Sequence, residues 1–220
     1  MRALGRHATL LASIALRETE LRNPPRIAKR LWDCVGIPFR FLLFDQRWLP
    51  VFGWTTLEEA RFAAVLPVIE GELLDVGAGP NRLVRQYGHG IGVDVYDWRG
   101  GALVVETTAQ LPFDGAHFDT VTFVAALNHI PYRLAAVKEA WRLLRPHGKL
   151  VITMIGPLIG MVGHLLWWYS EDKQRGGMKP GEVGGLSTAE VAQLCQAAGF
   201  HLKSHTTFLY GLNNLYVFEK

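Results

Sequence analysis

Cysteine is scarce in this sequence of 220 residues, which contains only Cys34 and Cys195. The two thiols lie far apart and in no Cys-x-x-Cys arrangement, which argues against a disulfide framework or a metal site and favours a reducing compartment. Internal repeats and low-complexity runs are also lacking. With 49% hydrophobic residues, the chain can bury a full core. We expect one domain with an appendage, and two ordinary buried thiols.

An uninterrupted membrane-spanning segment is lacking too. Residues 150–169 contain no Asp, Glu, Lys or Arg, and a run of that length is sufficient to cross a bilayer. However, Gly156, Pro157 and two further glycines interrupt the run, and its first six residues resemble a buried strand. We expect no spanning helix, although the second half of the run could form a helix that touches a membrane. The chain start has no convincing signal cleavage site, so we expect a retained helix there.

The net charge of +3 is small, but its distribution along the chain is uneven. Residues 1–50 carry nine Lys or Arg against four Asp or Glu, whereas the rest of the chain carries 14 against 16. Aromatic residues are interleaved with these basic residues, a pattern that suits an anionic membrane surface and also suits a solvated helical lid. We therefore expect a helical, aromatic lid segment at 1–69 and a main domain at 70–220, in the cytoplasm and either free or associated with a membrane.

From about residue 70, short apolar runs alternate with helical stretches. Five strands are predicted, at 72–77, 90–95, 101–107, 118–126 and 149–155. Continuous apolar runs are typical of a parallel sheet buried on both faces, with helices as right-handed crossovers. Residues 201–210 and 213–220 suit an antiparallel edge hairpin. These patterns predict an α/β fold, a Rossmann-like doubly wound sheet of seven strands, with an insertion at 156–186 and an added N-terminal helical lid.

Two predicted helices carry the signature of an N-terminal capping box. In each, a hydroxyl residue is followed three positions later by glutamate: Thr56 by Glu59, and Ser187 by Glu190. This spacing lets the two residues satisfy each other's exposed backbone N–H groups, and Gly199 is a typical stop for the second helix.

The stretch "LLDVGAGPNR", from Leu73 to Arg82, places an aspartate and two glycines directly behind the first predicted strand. A glycine turn at this point of a doubly wound sheet lets the backbone approach a ligand. A dinucleotide favours a third glycine where this chain has Arg82, and Pro80 removes one N–H donor. S-adenosylmethionine has no pyrophosphate; its ammonium favours a carboxylate beside the turn, and its ribose favours one at the end of the next strand. Asp75 and Asp94 occupy those two positions.

Four motifs in order resemble the class I S-adenosylmethionine-dependent methyltransferases, particularly the small-molecule group called type 11. They are "LLDVGAGPN", "GVDV", "AQLPFDGAHFDTVTFVAALNHI" and "VKEAWRLLRPHGKLVIT". The resemblance covers about residues 70–155. Two positions depart from it: Thr107, with Glu106 beside it, stands where many relatives have an acidic residue near adenine, and His147 stands in the family's Arg-Pro-Gly-Gly turn.

The resemblance implies S-adenosyl-L-methionine as the cofactor and no metal. It places Asp75, Gly77 and Gly79 beside the methionine portion, Asp94 at the ribose, and Val95 near the adenine. The full set of implied cofactor-binding residues is Asp75, Gly77, Ala78, Gly79, Asn81, Asp94, Val95, Thr108, Ala109, Leu111 and Ala125.

Methyl transfer from a sulfonium is an in-line displacement, so the protein chiefly has to align the nucleophile and exclude water. His129 follows the fourth predicted strand in "LNHIPY" and is the candidate catalytic base, because histidine exchanges protons near neutral pH. Shaping of the pocket is its alternative role. The motif differs from the Asn-Pro-Pro-Tyr type of enzymes that act on amino groups of DNA bases or glutamine, and the catalytic part lacks a basic patch, so we expect no nucleic-acid partner.

The insertion and the lid segment, where relatives build the acceptor pocket, are rich in Trp, Phe, Leu and Met. We therefore expect a small acceptor that is apolar, or lipid- or quinone-like, with peripheral membrane contact through the N-terminal segment. Packing of the lid onto the sheet accounts for the same aromatics equally well. Two other functions remain open: a non-catalytic protein that binds S-adenosylmethionine, and an NAD(P)-dependent oxidoreductase, which the missing third glycine disfavours. The methylated atom and the oligomeric state are left undetermined.

Overall fold

The computed structural model describes residues 27–36, 49–166 and 178–220. Most of the predicted lid and the middle of the predicted insertion lie outside the described residues. The chain divides into two compact units, Met1–Thr55 and Thr56–Lys220, whereas the sequence placed the boundary between 69 and 70. The division falls earlier because a helix at Leu57–Val65 packs into the second unit, where its last residue, Val65, is fully buried.

Seven strands form one mixed sheet within the described part of the second unit. They are β1 Leu73–Val76, β2 Gly90–Asp94, β3 Leu103–Val104, β4 Phe118–Val124, β5 Leu144–Ile155, β6 His201–Phe208 and β7 Asn213–Glu219. Their order is β3-β2-β1-β4-β5-β7-β6. The first five run parallel, and β7 pairs antiparallel with both β5 and β6. The predicted Rossmann-like sheet with an antiparallel edge hairpin is confirmed.

The described part of the first unit contains helix α1, Ile27–Val35. The described helices of the second unit are α2 Leu57–Val65, α3 Arg82–Tyr87, α4 Arg133–Leu143, α5 Pro157–Leu166 and α6 Thr188–Ala197. Thr56 and Glu59 form a capping box at α2, and Ser187 and Glu190 form one at α6. Both boxes confirm the prediction, because their geometry is set within four consecutive residues.

Two strands differ in length from the prediction by five residues each, and the other five differ by one or two. The apolar run at 101–107 forms only the two-residue strand β3, since it lies at the sheet edge and pairs with β2 alone. Strand β5 starts at Leu144, five residues earlier than predicted. Leu144 pairs with Phe118, and the register then shifts so that Lys149 pairs with Thr120. The extra residues of β5 form this irregularity, in which His147 adopts a left-handed backbone (φ 63°).

Alternating side chains of the strands fill two separate clusters, one on each face of the sheet. Leu74 and Ile152 belong to the larger cluster, together with buried residues of α4 and α6. Leu73 and Val151, their chain neighbours, belong to the smaller cluster with α2 and α3. This doubly covered sheet explains why its strands read as continuous apolar runs. Among the residues described, none of the helices is long and apolar enough to cross a membrane.

Candidate functional site

The predicted cofactor residues gather at the carboxyl ends of three adjacent strands. In the sheet order, β1 lies between β2 and β4, so the chain leaves β1 on one side and later returns on the other. In doubly wound sheets, this reversal opens a crevice at the carboxyl ends of the strands, where ligands bind. Asp94 ends β2, and the glycine turn follows directly after β1.

The glycine turn after β1 has a left-handed backbone that glycine adopts without strain. Gly77 has φ 74° and Gly79 has φ 51°. A Cβ on Gly77 would also lie 2.5 Å from the Cβ of Ala126, so only glycine fits beside the end of β4. The backbone N–H groups of Gly77 and Ala78 both donate to the carbonyl of Val93. The turn is therefore clamped between the ends of its two neighbouring strands.

Asp94 fastens the same turn from the end of β2. Its Oδ2 accepts a hydrogen bond from the N–H of Gly79 at 2.8 Å, and its Oδ1 accepts one from the N–H of Tyr96 at 2.9 Å. The carboxyl group is 7% exposed. Charge-assisted hydrogen bonds to a nearly buried carboxylate are among the stronger ones in proteins. Asp94 thus joins the glycine turn to the loop after β2, two segments that 15 residues separate.

Asp75 is a second buried carboxylate, on β1 and 2% exposed. Its Oδ1 accepts a hydrogen bond from the hydroxyl of Thr122 on β4 at 2.6 Å. Burial raises the pKa of Asp75 to about 7; the Thr122 bond opposes this increase, and the charge of Asp94 adds to it. A carboxyl group with this pKa is only partly ionised at neutral pH. A cation placed beside it would restore the full negative charge.

The remaining predicted cofactor residues differ in exposure. Val95 is 50% exposed, just past Asp94, whereas Thr108 and Leu111 are 8% and 5% exposed. The N–H of Ala109 donates to the hydroxyl of Thr107, which makes a local turn. Ala125 directly follows β4 in a left-handed conformation (φ 54°), and Asn81 adopts one (φ 57°) just before α3. For residues with a Cβ this conformation is strained, and such strain concentrates at functional sites.

Helix α4 holds the segment around Leu111 through a pair of residues that sequence reasoning missed. The Oε1 of Glu139 accepts a hydrogen bond from the N–H of Leu111 at 2.7 Å. Arg142 binds both carboxylate oxygens of Glu139 and donates to the carbonyl of Phe113 at 2.9 Å. Burial alone would raise the pKa of Glu139, but the hydrogen bonds from Arg142 and Leu111 outweigh it and lower that pKa. "VKEAWR" carries both residues, yet nothing in it indicates what they hold.

Replacing Glu139 with glutamine should lower the free energy of unfolding by about 2 kcal/mol, because the buried side chain, 7% exposed, loses the charge that accepts hydrogen bonds from Arg142 and Leu111. Chemical denaturation would measure the change. The matched control is Glu58→Gln: Glu58 pairs with Arg82, and the two side chains are 32% and 57% exposed. An exposed pair of this kind contributes less than about 1 kcal/mol. If the two substitutions lowered the free energy of unfolding equally, Glu139 would not hold the segment around Leu111 as proposed.

His129 lies in a short 3-10 helix, Leu127–His129, directly after β4. Its Nδ1 is 3.3 Å from the Oε2 of Glu182, whose side chain is 2% exposed. The neighbouring Asn128 makes two hydrogen bonds with Val183. The backbone N–H of Val183 donates to the backbone carbonyl of Asn128, and the side-chain amide of Asn128 donates to the backbone carbonyl of Val183. Glu182 was not predicted, since 53 residues separate it from His129.

The structure therefore brings the predicted residues of the glycine turn, Asp75, Asp94 and Ala125 to one edge of the sheet. His129 lies in the segment that follows β4, beyond the same edge of the sheet. The segment at 107–111 is tied to α4. Thr122, Glu139 and Glu182 are additions that the sequence did not reveal. In the ranges that the structure describes, no group of three or more His, Cys, Asp or Glu side chains could hold a metal ion.

Part of the chain is similar to known proteins. Residues 74–152 match the family described as "Methyltransferase domain", type 11. A ubiquinone/menaquinone biosynthesis C-methyltransferase (UbiE) from Pseudomonas fluorescens is 30% identical over 132 residues, which cover 56% of this chain and 47% of that protein. The chain thus spans about half the length of the curated relatives that it matches.

Solved structures share the fold. A SAM-dependent methyltransferase from Thermotoga maritima has a TM-score of 0.61 and 22% identity, and the match covers 79% of this chain and 93% of that one. The 1,6-didemethyltoxoflavin-N1-methyltransferase of Burkholderia thailandensis, solved with S-adenosylhomocysteine, has a TM-score of 0.53 and 19% identity over 74% of this chain and 79% of that one. Residues 74–152 thus match a methyltransferase-domain family, and the solved methyltransferases share the predicted fold.

Proposed function

We propose that the whole chain transfers a methyl group from S-adenosylmethionine to a small, apolar, quinone-like acceptor. The observation that carries the transfer is the pair of buried carboxylates, Asp75 and Asp94, at the ends of adjacent strands on either side of the glycine turn. The cofactor is cationic at its methionine end and has two hydroxyls on its ribose, so this pair fits it. A carboxylate at the end of the second strand also suits the ribose of a dinucleotide, so Asp75 beside the turn and the missing third glycine at Arg82 are what favour S-adenosylmethionine.

Each predicted residue then has a definite task. Asp75, whose pKa burial raises to about 7, would hold the ammonium group and be kept ionised by it. Asp94 would accept hydrogen bonds from the ribose hydroxyls while it fastens the Gly79 N–H. The half-exposed Val95 offers apolar surface for the adenine ring. The bound cofactor supplies an activated methyl group, so the protein has to orient the acceptor and exclude water.

The quinone-like acceptor is supported by two observations. The Pseudomonas relatives are named for ubiquinone and menaquinone biosynthesis, at 27% to 30% identity. In addition, α5 begins directly after β5 and exposes Leu158 and Met161, 69% and 53%, one helical turn apart. Gly160 of this helix packs closely against Gly184, next to the segment that Asn128 binds. Apolar surface at the same edge of the sheet as the proposed cofactor residues suits an aromatic, apolar acceptor better than a charged one.

We assign His129 as the base that removes a proton from the acceptor, with Glu182 as its positioning residue. When the Nδ1–H of His129 donates to Glu182, the ring adopts the tautomer in which Nε2 carries the lone pair. The carboxylate also stabilises the imidazolium that forms when Nε2 takes up the proton. This arrangement orients the base by a second side chain, as in other catalytic histidine pairs.

Titration calorimetry with S-adenosylhomocysteine, with NADH as a parallel ligand, is the first test. We expect micromolar binding of S-adenosylhomocysteine alone, about −8 kcal/mol. The second test is transfer of a radiolabelled methyl group to a reduced quinone ring that carries a short isoprenoid chain. Binding without transfer across a broad acceptor panel would favour a non-catalytic protein, and binding of NADH alone would favour an oxidoreductase.

The base assignment predicts that His129→Ala lowers kcat by about 100-fold or more without changing the affinity for S-adenosylhomocysteine. Glu182→Gln should lower kcat by about tenfold, and the double variant should be no slower than His129→Ala, because Glu182 acts through the imidazole. Steady-state kinetics on all three variants would measure this. Losses that multiply in the double variant, or a loss of cofactor affinity in Glu182→Gln, would contradict a positioning role.

A further inference from the structure

Helix α1 turns an apolar face to solvent. Ile27, Leu31 and Val35, spaced by four residues, are 78%, 63% and 52% exposed, and Trp32 beside them is 49% exposed. Residues four apart lie on one side of a helix, so these side chains form a continuous stripe. Helices of globular proteins normally bury such a stripe, and here it is the side that faces outward.

The opposite side of α1 is attached to its own compact unit by polar contacts. Asp33 is 8% exposed and accepts hydrogen bonds from the N–H and the hydroxyl of Thr55. At the edge of the exposed stripe, the Nε1 of Trp32 donates to the carbonyl of Phe52 at 2.8 Å. These contacts fix which way the helix faces. The acidic side chain of Asp33 is turned inward and the apolar stripe outward, the reverse of a core-packed amphipathic helix.

A short 3-10 helix, Pro50–Phe52, lies beside α1, because the carbonyl of Phe52 accepts the hydrogen bond from Trp32, and it exposes two further apolar residues. Its residues Val51 and Phe52 are 71% and 45% exposed. We call the combined patch the α1 face; it consists of Ile27, Leu31, Trp32, Val35, Val51 and Phe52. Single exposed apolar residues need no explanation, but six that cluster on one unit indicate a binding surface.

We propose that the α1 face docks the protein on an anionic lipid bilayer. The surrounding sequence carries the complementary charge, since residues 1–50 hold nine Lys or Arg against four acidic residues and account for the whole positive excess of the chain. Lys29 and Arg30 belong to α1 itself. Interfacial helices combine an exposed apolar stripe with basic residues, and tryptophan whose N–H is hydrogen-bonded is enriched at membrane interfaces.

Two features favour a bilayer over a second copy of the chain. A self-complementary apolar contact would bring two positively charged segments together, which costs energy, whereas an anionic surface is attracted to them. The helix has nine residues, too few to cross a bilayer and sufficient to lie in its interface. The inference does not depend on the proposed methyl transfer, since it concerns residues outside the candidate site.

Sedimentation of the full chain with vesicles tests the proposal. At low salt, we expect binding to vesicles of phosphatidylcholine and phosphatidylglycerol that is about tenfold tighter than binding to phosphatidylcholine alone, and that weakens as salt is added. The expectation of two buried thiols is wrong for Cys34, which is exposed on α1, whereas Cys195 is buried and burial raises the pKa of its thiol to about 12. An environment-sensitive fluorophore on Cys34 should therefore shift its emission to shorter wavelength on binding.

The matched pair of variants is Leu31→Ser and Leu202→Ser, with the second leucine 46% exposed on β6. Leu31→Ser should weaken vesicle binding by about fivefold to tenfold, and Leu202→Ser should leave it unchanged. Equal weakening by both substitutions, or no vesicle binding at low salt, would overturn the proposal. A dimer in light scattering that Leu31→Ser dissociates, without vesicle binding, would assign the α1 face to self-association instead. Methyl transfer to a water-soluble acceptor should be the same in both variants, so failure of either proposal is seen separately.

Discussion

Replacing Asp94 with alanine should weaken the binding of S-adenosylhomocysteine by about 100-fold or more. The proposed role of Asp94 gives it two charge-assisted hydrogen bonds to the ribose, and their loss amounts to about 3 kcal/mol. The substitution also removes the acceptor for the N–H groups of Gly79 and Tyr96. Unfolding free energy should therefore fall by about 2 kcal/mol in the absence of ligand. Titration calorimetry and chemical denaturation measure the two effects separately.

Asp97→Ala is the control for Asp94→Ala. Asp97 is an exposed aspartate in the same loop, and its Oδ1 accepts a hydrogen bond from the N–H of Arg99. We expect little change in affinity and a small change in stability from this substitution. If Asp94→Ala were less stable but bound S-adenosylhomocysteine with nearly normal affinity, Asp94 would only fasten the turn, and the ribose contact would be wrong.

Replacing Asp75 with asparagine should stabilise the ligand-free protein at pH 8 and, at the same time, weaken cofactor binding. Folding raises the pKa of Asp75 from 3.8 to about 7, so the folded state holds this proton more tightly than the unfolded state does. The stability that this proton contributes is complete below pH 3.8 and is lost as the pH rises to about 7. At full ionisation, the loss is about 4 kcal/mol. Asparagine stays neutral and still accepts the Thr122 bond, so it avoids this loss.

The measurement is the difference in unfolding free energy between Asp75→Asn and the native chain, followed from pH 4 to pH 8. It should grow with pH in favour of the variant. Asp119→Asn is the control with the opposite sign, since hydrogen bonds from the N–H of Glu72 and from Arg145 lower the pKa of Asp119. Asp119 contributes stability that is present at neutral pH and lost in acid. A difference for Asp75→Asn that does not change with pH would contradict the raised pKa.

Binding of the cationic cofactor should have a matching pH signature. Because the ammonium group stabilises the ionised form of Asp75, binding near pH 7 should release a proton, and the affinity should fall as the pH drops below 7. Calorimetry in two buffers with different ionisation enthalpies detects the release. In Asp75→Asn the proton release should disappear, and the affinity should fall by about tenfold or more.

Exposure to solvent could not be predicted for the basic, aromatic N-terminal segment. Its composition suited both a solvated lid and a membrane surface, because hydrophobic periodicity identifies an apolar face but not what covers it. In α1, the inward contacts of Asp33 with Thr55 decide which side faces outward. That choice depends on a residue 22 positions away.

Features that depend on a few consecutive residues could be predicted from the sequence. Buried strands appear in the sequence as apolar runs, and capping boxes depend on residues three apart. The turn after β1 needs glycine because its backbone is left-handed and approaches Ala126 closely. Asp75 and Asp94 could be located for the same reason, since each belongs to the end of a strand and its adjoining turn.

The hydrogen-bond partners of these residues could be identified only from the folded chain. Thr122 and Asp75 are hydrogen-bonded although 47 positions separate them in the sequence. The separation is 53 positions for Glu182 and His129, and 28 for Glu139 and Leu111. The insertion of β7 between β5 and β6 is of the same kind. Local patterns encode the shape of an element and the face that it buries, but contacts between distant elements arise only when the sheet assembles. The pKa of Asp75 depends on its burial among those elements. Its charge state therefore could not be predicted from the sequence.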